Sequence, residues 1–146
     1  MARAKTTALT ALLLIALGLA GCIQPKDRRP GLWLPGEVVS QPVQDWSFTD
    51  EHKEIYVQTR NLLGLAHSVT IVCTQIDGQL YIGTRNPTEK RWVGHLERSP
   101  DVRLGIGGKL YDQRLEVVED TREQEAVYAA YRGKYSWPDA PPEKRT

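Results

Sequence analysis

The chain is poor in the residues that cross-link small domains and build reactive sites. Its 146 residues include only two cysteines and three histidines, and its 19 Lys and Arg nearly balance its 18 Asp and Glu. Such a balance argues against nucleic acid as a partner, because nucleic-acid binding needs a clear basic excess. The histidines form no HxxxH or HxH pair, so their spacing predicts no metal site. The sequence also lacks a Walker or Rossmann glycine loop and a Gly-x-Ser-x-Gly elbow, which excludes the commonest sequence-encoded catalytic sites.

The first 22 residues carry the three parts of a bacterial export signal. Arg3 and Lys5 supply a positive start, residues 9–19 form an apolar run, and small residues precede Cys22. The alternative is a transmembrane anchor, but this run is shorter than the roughly 20 apolar residues that span a bilayer. The closing letters LAGC resemble a lipoprotein lipobox, in which the cysteine sulfur receives a diacylglycerol. Residues 1–21 are therefore predicted to be a signal peptide and Cys22 to be the lipidated N-terminus.

The lipobox resemblance also implies where the protein works. One acyl chain holds a protein only marginally, whereas the two or three expected at Cys22 hold it permanently on a lipid membrane. Ile23 follows, where enterobacterial lipoproteins kept in the inner membrane have aspartate. The implied location is the outer membrane, facing the periplasm. With Cys22 lipidated, Cys73 has no disulfide partner, and its alternating surroundings predict a buried apolar side chain rather than a reactive thiol.

The remaining chain divides into a tether, one domain and a tail. Prolines and glycines are frequent from residue 23 to 44 and disfavour helix and sheet pairing. Residues 22–45 are therefore predicted to be a tether, with Trp33 and Leu34 as candidates to fold back. Residues 46–135 form the predicted domain, and the proline-rich residues 136–146 are predicted to be disordered.

Alternating apolar residues predict a mainly β domain. The predicted elements are strands at 54–60, 67–76, 79–84, 102–106 and 110–118, a short helix at 88–98, and a longer helix that Thr121 caps and Gly133 stops. Asp77-Gly78 predicts a type I′ hairpin, and Ala126, Val127, Ala130 and Tyr131 form one apolar stripe of the last helix. The order of these elements predicts an α+β fold with a small closed or partly closed antiparallel barrel.

Four motifs follow one another between residues 78 and 135. They are GQLYIGT at 78–84, EKRWVGHL at 89–96, SPDVRLGIGG at 99–108, and a strand ending in Glu-Asp before the last helix. Their order resembles the pyridoxamine 5′-phosphate oxidase-like superfamily of FMN-binding split barrels and its deazaflavin-dependent relatives. The resemblance covers about residues 54–135. It implies a small antiparallel split β-barrel, FMN or a related flavin as cofactor, and a cofactor groove shared by a homodimer.

The resemblance also implies site residues. Thr84 falls where the family presents a hydroxyl to the flavin phosphate, and Lys90 and Arg91 fall on the basic pair that grips it. Arg85 could serve the same anion, and Trp92 would lie near the ring. The alternatives are an exposed helix start for Lys90-Arg91 and a core position for Trp92. Family oxidases also carry Arg and Lys before the hairpin, where this chain has VTIVCTQI without a cation.

Two classes of function follow from this comparison of motifs. The first is a membrane-anchored periplasmic lipoprotein acting as a flavin- or deazaflavin-dependent oxidoreductase on a small-molecule ligand. The second is a non-enzymatic ligand-binding or haem-binding envelope lipoprotein, in which His67 or His95 could ligate iron. The colour of the purified protein distinguishes them, because flavin, haem and an empty protein absorb differently.

Lipidation at Cys22 is directly testable. Radiolabelled palmitate should enter the wild-type protein and not the Cys22→Ala variant, because the thioether forms at that sulfur. Equal labelling of the two proteins would contradict the prediction.

Overall fold

The computed structural model describes residues 24–26 and 29–136 of the chain. Its strands are β1 (Glu37–Val39), β2 (Ile55–Arg60), β3 (Ala66–Ile76), β4 (Gln79–Gly83), β5 (Asp101–Ile106) and β6 (Lys109–Arg114). Its α-helices are α1 (Arg91–Leu96) and α2 (Thr121–Tyr135), and short 3-10 helices lie at Ser47–Glu51 and Pro87–Glu89. No helix in these ranges has both the length and the apolar character needed to cross a membrane. The predicted signal peptide, Cys22 and residues 137–146 of the predicted tail lie outside the described residues.

The six strands form one sheet in the order β1-β6-β5-β2-β3-β4. Neighbouring strands are antiparallel except β1 and β6, which are parallel. Alternation explains the central pair, because Ile55 and Val57 of β2 are buried and pair with Ile71 and Val69 of β3. The predicted α+β fold, with a mainly antiparallel sheet, a short helix and a C-terminal helix, is confirmed.

The long strand β3 pairs with two partners in succession. Residues 66–71 pair with β2, and residues 72–76 pair with β4. Beyond the start of β2, the Tyr135 hydroxyl of α2 accepts a hydrogen bond from the Cys73 N–H at 3.1 Å. The same hydroxyl lies 2.7 Å from two carbonyl oxygens, those of Cys73 and Lys53. It has one proton and can donate it to either of them. A tyrosine side chain thus takes the position of a missing strand partner.

The β3–β4 turn has the conformation that its sequence predicts. Asp77 and Gly78 have φ angles of 50° and 80°, so both central residues are left-handed as a type I′ turn requires. The hairpin prediction is confirmed. Gly107 and Gly108 adopt the same left-handed region, with φ of 57° and 80°, between β5 and β6.

The hydrophobic core gathers the alternate residues of the central strands and three large aromatic side chains. Ile55, Val57 and Leu104 are almost fully buried, and the aromatic members are Trp46, Trp92 and Tyr111. Cys73 is also fully buried in this cluster. The prediction that Cys73 is a core residue is confirmed.

Part of the segment before residue 46 packs against the domain, although its prolines predicted a tether. Glu37–Val39 pairs with β6 as an edge strand, so the prediction that this region excludes sheet pairing is wrong. Three consecutive residues without proline are enough for such a strand. Leu34 folds back as predicted, since it is 5% exposed and its N–H donates to Gln58 Oε1 at 2.7 Å. Trp33 remains partly exposed.

The cap of α2 differs from the prediction by one residue. The Asp120 carboxylate accepts a hydrogen bond from the Glu123 N–H at 2.9 Å, so Asp120 is the N-cap and Thr121 is the first helical residue. The predicted cap at Thr121 is wrong because Asp120 competes for the same position and precedes a glutamate by the same spacing.

The C-terminal end of α2 also differs. The helix continues through Gly133 and ends at Tyr135, so the predicted stop is wrong. A helical glycine costs about 1 kcal/mol relative to alanine, which the contacts of Tyr131 and Tyr135 with β3 offset. Ala126, predicted to lie on the apolar stripe, is exposed.

Two further elements are shorter than predicted. The helix expected at 88–98 is divided into Pro87–Glu89 and α1, because Lys90 has an extended backbone with φ −96° and ψ 119°. Strand β6 ends at Arg114 rather than at residue 118, because its partner β5 begins at the opposing Asp101.

The bridging role of Tyr135 predicts a loss of stability in Tyr135→Phe. The change leaves the buried N–H and C=O of Cys73 without this partner, at a cost of about 1–3 kcal/mol. Urea unfolding should show a lower midpoint with an unchanged slope. Tyr128→Phe on the same helix is the control, and an equal midpoint in the two variants would contradict this role.

Candidate functional site

Four of the five residues implied by the motif resemblance are accessible to solvent. Thr84 follows β4 and is partly exposed, and Arg85 is exposed. Lys90 and Arg91 are exposed at the start of α1, where the Lys90 side chain makes no capping hydrogen bond. The Thr84 hydroxyl donates to the Arg85 carbonyl at 3.4 Å. Solvent therefore reaches all four of these side chains.

Trp92 occupies a different environment. Its indole is 6% exposed and packs in the hydrophobic core. Of the two positions considered for Trp92, the core position is therefore confirmed. A buried indole cannot offer its face to a ligand ring, so Trp92 does not fit the role of a stacking platform.

The next turn of α1 brings His95 onto β2. His95 Nδ1 and Thr59 Oγ1 are hydrogen-bonded at 2.8 Å. The Thr59 hydroxyl also lies 3.3 Å from the His67 carbonyl oxygen, to which it can donate. With the hydroxyl proton directed there, His95 carries its proton on Nδ1 and keeps Nε2 as a free acceptor.

The His67 and His95 rings meet edge to face, with their centroids 5.3 Å apart. Their spacing in the sequence gives no sign of this contact. It arises because Thr59 pairs with His67 across β2 and β3, which puts both side chains on the face against which α1 packs. The edge-to-face pair with Thr59 and Arg91 is called the histidine cluster below.

Burial and positive charge keep both imidazoles neutral. Burial is the main cause that lowers the pKa of His67, followed by the charges of His95 and Arg91. Burial also lowers the pKa of His95, with smaller contributions from Arg98 and Arg91. Since the folded state disfavours protonation, this contribution to stability is complete above the unfolded pKa and is lost as pH falls below it. Neutral imidazoles can donate and accept hydrogen bonds and can ligate metals.

The cluster offers a cation and polar hydrogen-bonding groups close together. Arg91 supplies a fixed positive charge, and the imidazoles supply ring nitrogens of both kinds. This set suits a phosphate or another anion with oxygen acceptors. In the part of the chain that the structure describes, no three His, Cys, Asp or Glu side chains are arranged to hold a metal ion.

Two open concavities lie away from the residues implied by the resemblance. One of about 490 Å³ is lined by the outer sides of β2, β5 and β6, and one of about 360 Å³ lies beside β1 and Tyr111. Charges in the first are largely paired: Arg103 binds both oxygens of Asp112 at 2.7 and 2.8 Å, and Arg114 binds Asp101 at 3.0 Å. Such pairing leaves little free charge to attract an ionic ligand.

Cys73 also lies close to a cation but fits a structural role. Lys134 Nζ is 3.7 Å from its sulfur and donates to the Thr49 carbonyl at 2.8 Å. Burial raises the pKa of the Cys73 thiol, although Lys134 opposes the shift. The thiol is therefore protonated and unreactive near neutral pH.

Comparisons of the chain with known protein families, with curated proteins and with solved structures found no match.

The arrangement of the histidine cluster predicts an electrostatic effect of Arg91. Arg91→Ala should raise the pKa of both His67 and His95, because the charge that opposes their protonation is removed. The measurement is an NMR titration of the imidazole Hε1 signals. Lys109→Ala, at the opposite end of the sheet, is the control, and unchanged titration in Arg91→Ala would contradict the cluster.

Proposed function

We propose that the protein is a lipid-anchored lipoprotein of the bacterial envelope whose domain binds a phosphorylated, flavin-type ligand at the end of the sheet that carries α1. The observation that carries this proposal is the histidine cluster, in which the His67 and His95 rings are in contact and Arg91 lies one turn before His95 on α1. The domain is proposed to be a split β-barrel. Of the two proposed functions, we favour a flavin- or deazaflavin-dependent oxidoreductase.

The contacts of Trp46 support a barrel. The backbone N–H of Trp46 donates a hydrogen bond to the Gly78 carbonyl at 2.9 Å. Gly78 lies in the turn before the edge strand β4. Its ring packs on Tyr111 of β6 with centroids 5.4 Å apart, next to the opposite edge. A residue that contacts both sides of a six-stranded sheet favours strong curvature of that sheet. The change of partner along β3 is also typical of a strand at a barrel corner.

Charge and exposure support a phosphate site. Lys90 and Arg91 are adjacent and exposed, and each charge-assisted hydrogen bond to a phosphate contributes about 1.5–3 kcal/mol. Thr84 and Arg85 lie in the short connection between β4 and α1, six and five residues before Lys90. A terminal phosphate therefore fits the donor set, whereas the buried Trp92 does not fit as the neighbour of a flavin ring.

A bound flavin would supply hydride or electron transfer. The chain's own residues would position it: Lys90 and Arg91 would hold the phosphate, and neutral His95, fixed by Thr59, would accept a hydrogen bond at Nε2. A groove shared by two copies is part of the proposal, because split barrels of this type pair as homodimers.

A second function rests on His67 and His95, whose side chains are both partly accessible to solvent. Either neutral imidazole could ligate haem iron, and the protein would then be a ligand-binding lipoprotein without an enzymatic role. One of the two histidines would hold the iron, and the haem would supply the binding of the ligand. Absorption of the purified protein separates the functions, since a Soret band indicates haem and flavin bands indicate the oxidoreductase.

The flavin hypothesis predicts that binding depends on the basic pair. Replacing Lys90 and Arg91 with alanine should weaken FMN binding at least about a hundredfold, because two charge-assisted contacts worth about 3 kcal/mol or more are lost. Quenching of FMN fluorescence measures the affinity. Lys109→Ala with Arg122→Ala is a control with the same change in charge. Equal binding by all three proteins, or no binding by any, would sink the flavin hypothesis.

A further inference from the structure

The loop between β2 and β3 exposes three leucines. Leu62, Leu63 and Leu65 are 77%, 80% and 57% exposed. Single exposed leucines are ordinary, but three at one loop tip form a continuous apolar surface. A Cβ added to Gly64 would meet no atom within 4 Å, so the loop projects from the domain. Residues 61–65 are called the leucine loop below.

Asn61 holds the leucine loop in shape. Its Oδ1 accepts hydrogen bonds from the N–H groups of Leu63 at 2.9 Å and Leu65 at 3.0 Å. Its backbone N–H donates to the Leu65 carbonyl, and its carbonyl accepts from the Gly64 N–H, both at 2.9 Å. The N–H groups of three consecutive residues are therefore satisfied within the loop. This pairing lowers the cost of moving the loop from water into the headgroup region of a bilayer.

Arg60 contacts the leucine loop, and further cations lie on or beside α1. Arg60 donates to the Gly64 carbonyl at 3.3 Å, and its guanidinium lies 4.8 Å from the centre of the Trp33 ring. Helix α1 packs on β2 and β3 at this end of the sheet. The exposed charged residues at this end include the cations Arg60, Lys90, Arg91 and Arg98 and the carboxylates Glu89 and Glu97. An apolar tip with a basic surround is the chemistry that anionic lipid surfaces attract.

The N-terminal segment reaches the domain at the same end. The N–H of Gly31 donates to the Ser68 carbonyl at 2.8 Å, and the Ser68 N–H returns a bond at 3.0 Å. Ser68 lies three residues after Leu65, and the neighbouring Leu32 is 47% exposed. The nine steps along the chain from Cys22 to Gly31 span at most about 30 Å when extended. An acyl anchor at Cys22 would therefore hold the leucine loop close to the bilayer.

We propose that the leucine loop inserts into the headgroup region of the anchoring bilayer, with Arg60 at its base against anionic headgroups. This proposal depends on the proposed lipid anchor at Cys22, which would keep the leucine loop near the bilayer. It gives the domain a fixed orientation, with the α1 end and the histidine cluster toward the membrane and the β5–β6 turn away from it.

Depth-dependent quenching in vesicles tests this orientation. The full chain carries Cys73→Ala and either Leu63→Cys or, as the matched control, Lys109→Cys, and each introduced thiol receives an environment-sensitive fluorophore. Vesicles contain phosphatidylethanolamine, phosphatidylglycerol and a lipid with a shallow nitroxide. Quenching at position 63 should exceed quenching at position 109 at least about threefold. Adding Leu62→Ser and Leu65→Ser to the labelled chain should reduce it to the control level.

The outcomes separate docking from anchoring. Flotation of wild type and Cys22→Ala with vesicles reports the lipid anchor, and equal flotation would reject the anchor alone. Equal quenching at positions 63 and 109, with vesicles in excess, overturns the docking proposal whether or not the protein floats. That result would point instead to a protein partner for the leucine loop.

Discussion

The fold depends on the change of partner along β3. Up to Ile71 the strand uses the backbone of β2, and from Val72 it uses β4. The change leaves Cys73 without a strand on one side, and α2 must dock there because the Tyr135 hydroxyl satisfies that backbone. The same strand begins opposite β2 with His67 paired to Thr59. One strand therefore determines both where the last helix packs and where the two histidines meet.

The two ends of the sheet differ in how their polar groups are used. At one end the 3-10 helix Ser47–Glu51 packs beside the β3–β4 turn, and Lys134 binds the Thr49 carbonyl. Those groups are committed to partners within the domain. At the other end the side chains of Lys90 and Arg91 and the tip of the leucine loop face solvent. A protein gains little stability from such exposed groups, so a role in binding is the better explanation for this end.

Local signals in the sequence predicted local structure well. Alternation identified β2 and β3, and Asp77-Gly78 identified the hairpin, because each depends on a few neighbouring residues. Contacts between distant segments were missed for a physical reason. Edge strand β1 exists only through pairing with β6, and His67 meets His95 only after β2, β3 and α1 have assembled. The capping error at Thr121 is of another kind, since Asp120 carries an equally good local signal.

The position of Trp92 joins the core to the candidate site. An α-helix of six residues is too short to persist alone, so α1 must be held by tertiary contacts. The buried Trp92 indole provides them, and it fixes the residues on either side of it in the helix. The backbone of Arg91 and His95 is thereby held in place, which would reduce the entropy lost if the proposed ligand binds there. The residue that the motif resemblance assigned to the ligand ring instead holds the helix that carries the proposed site.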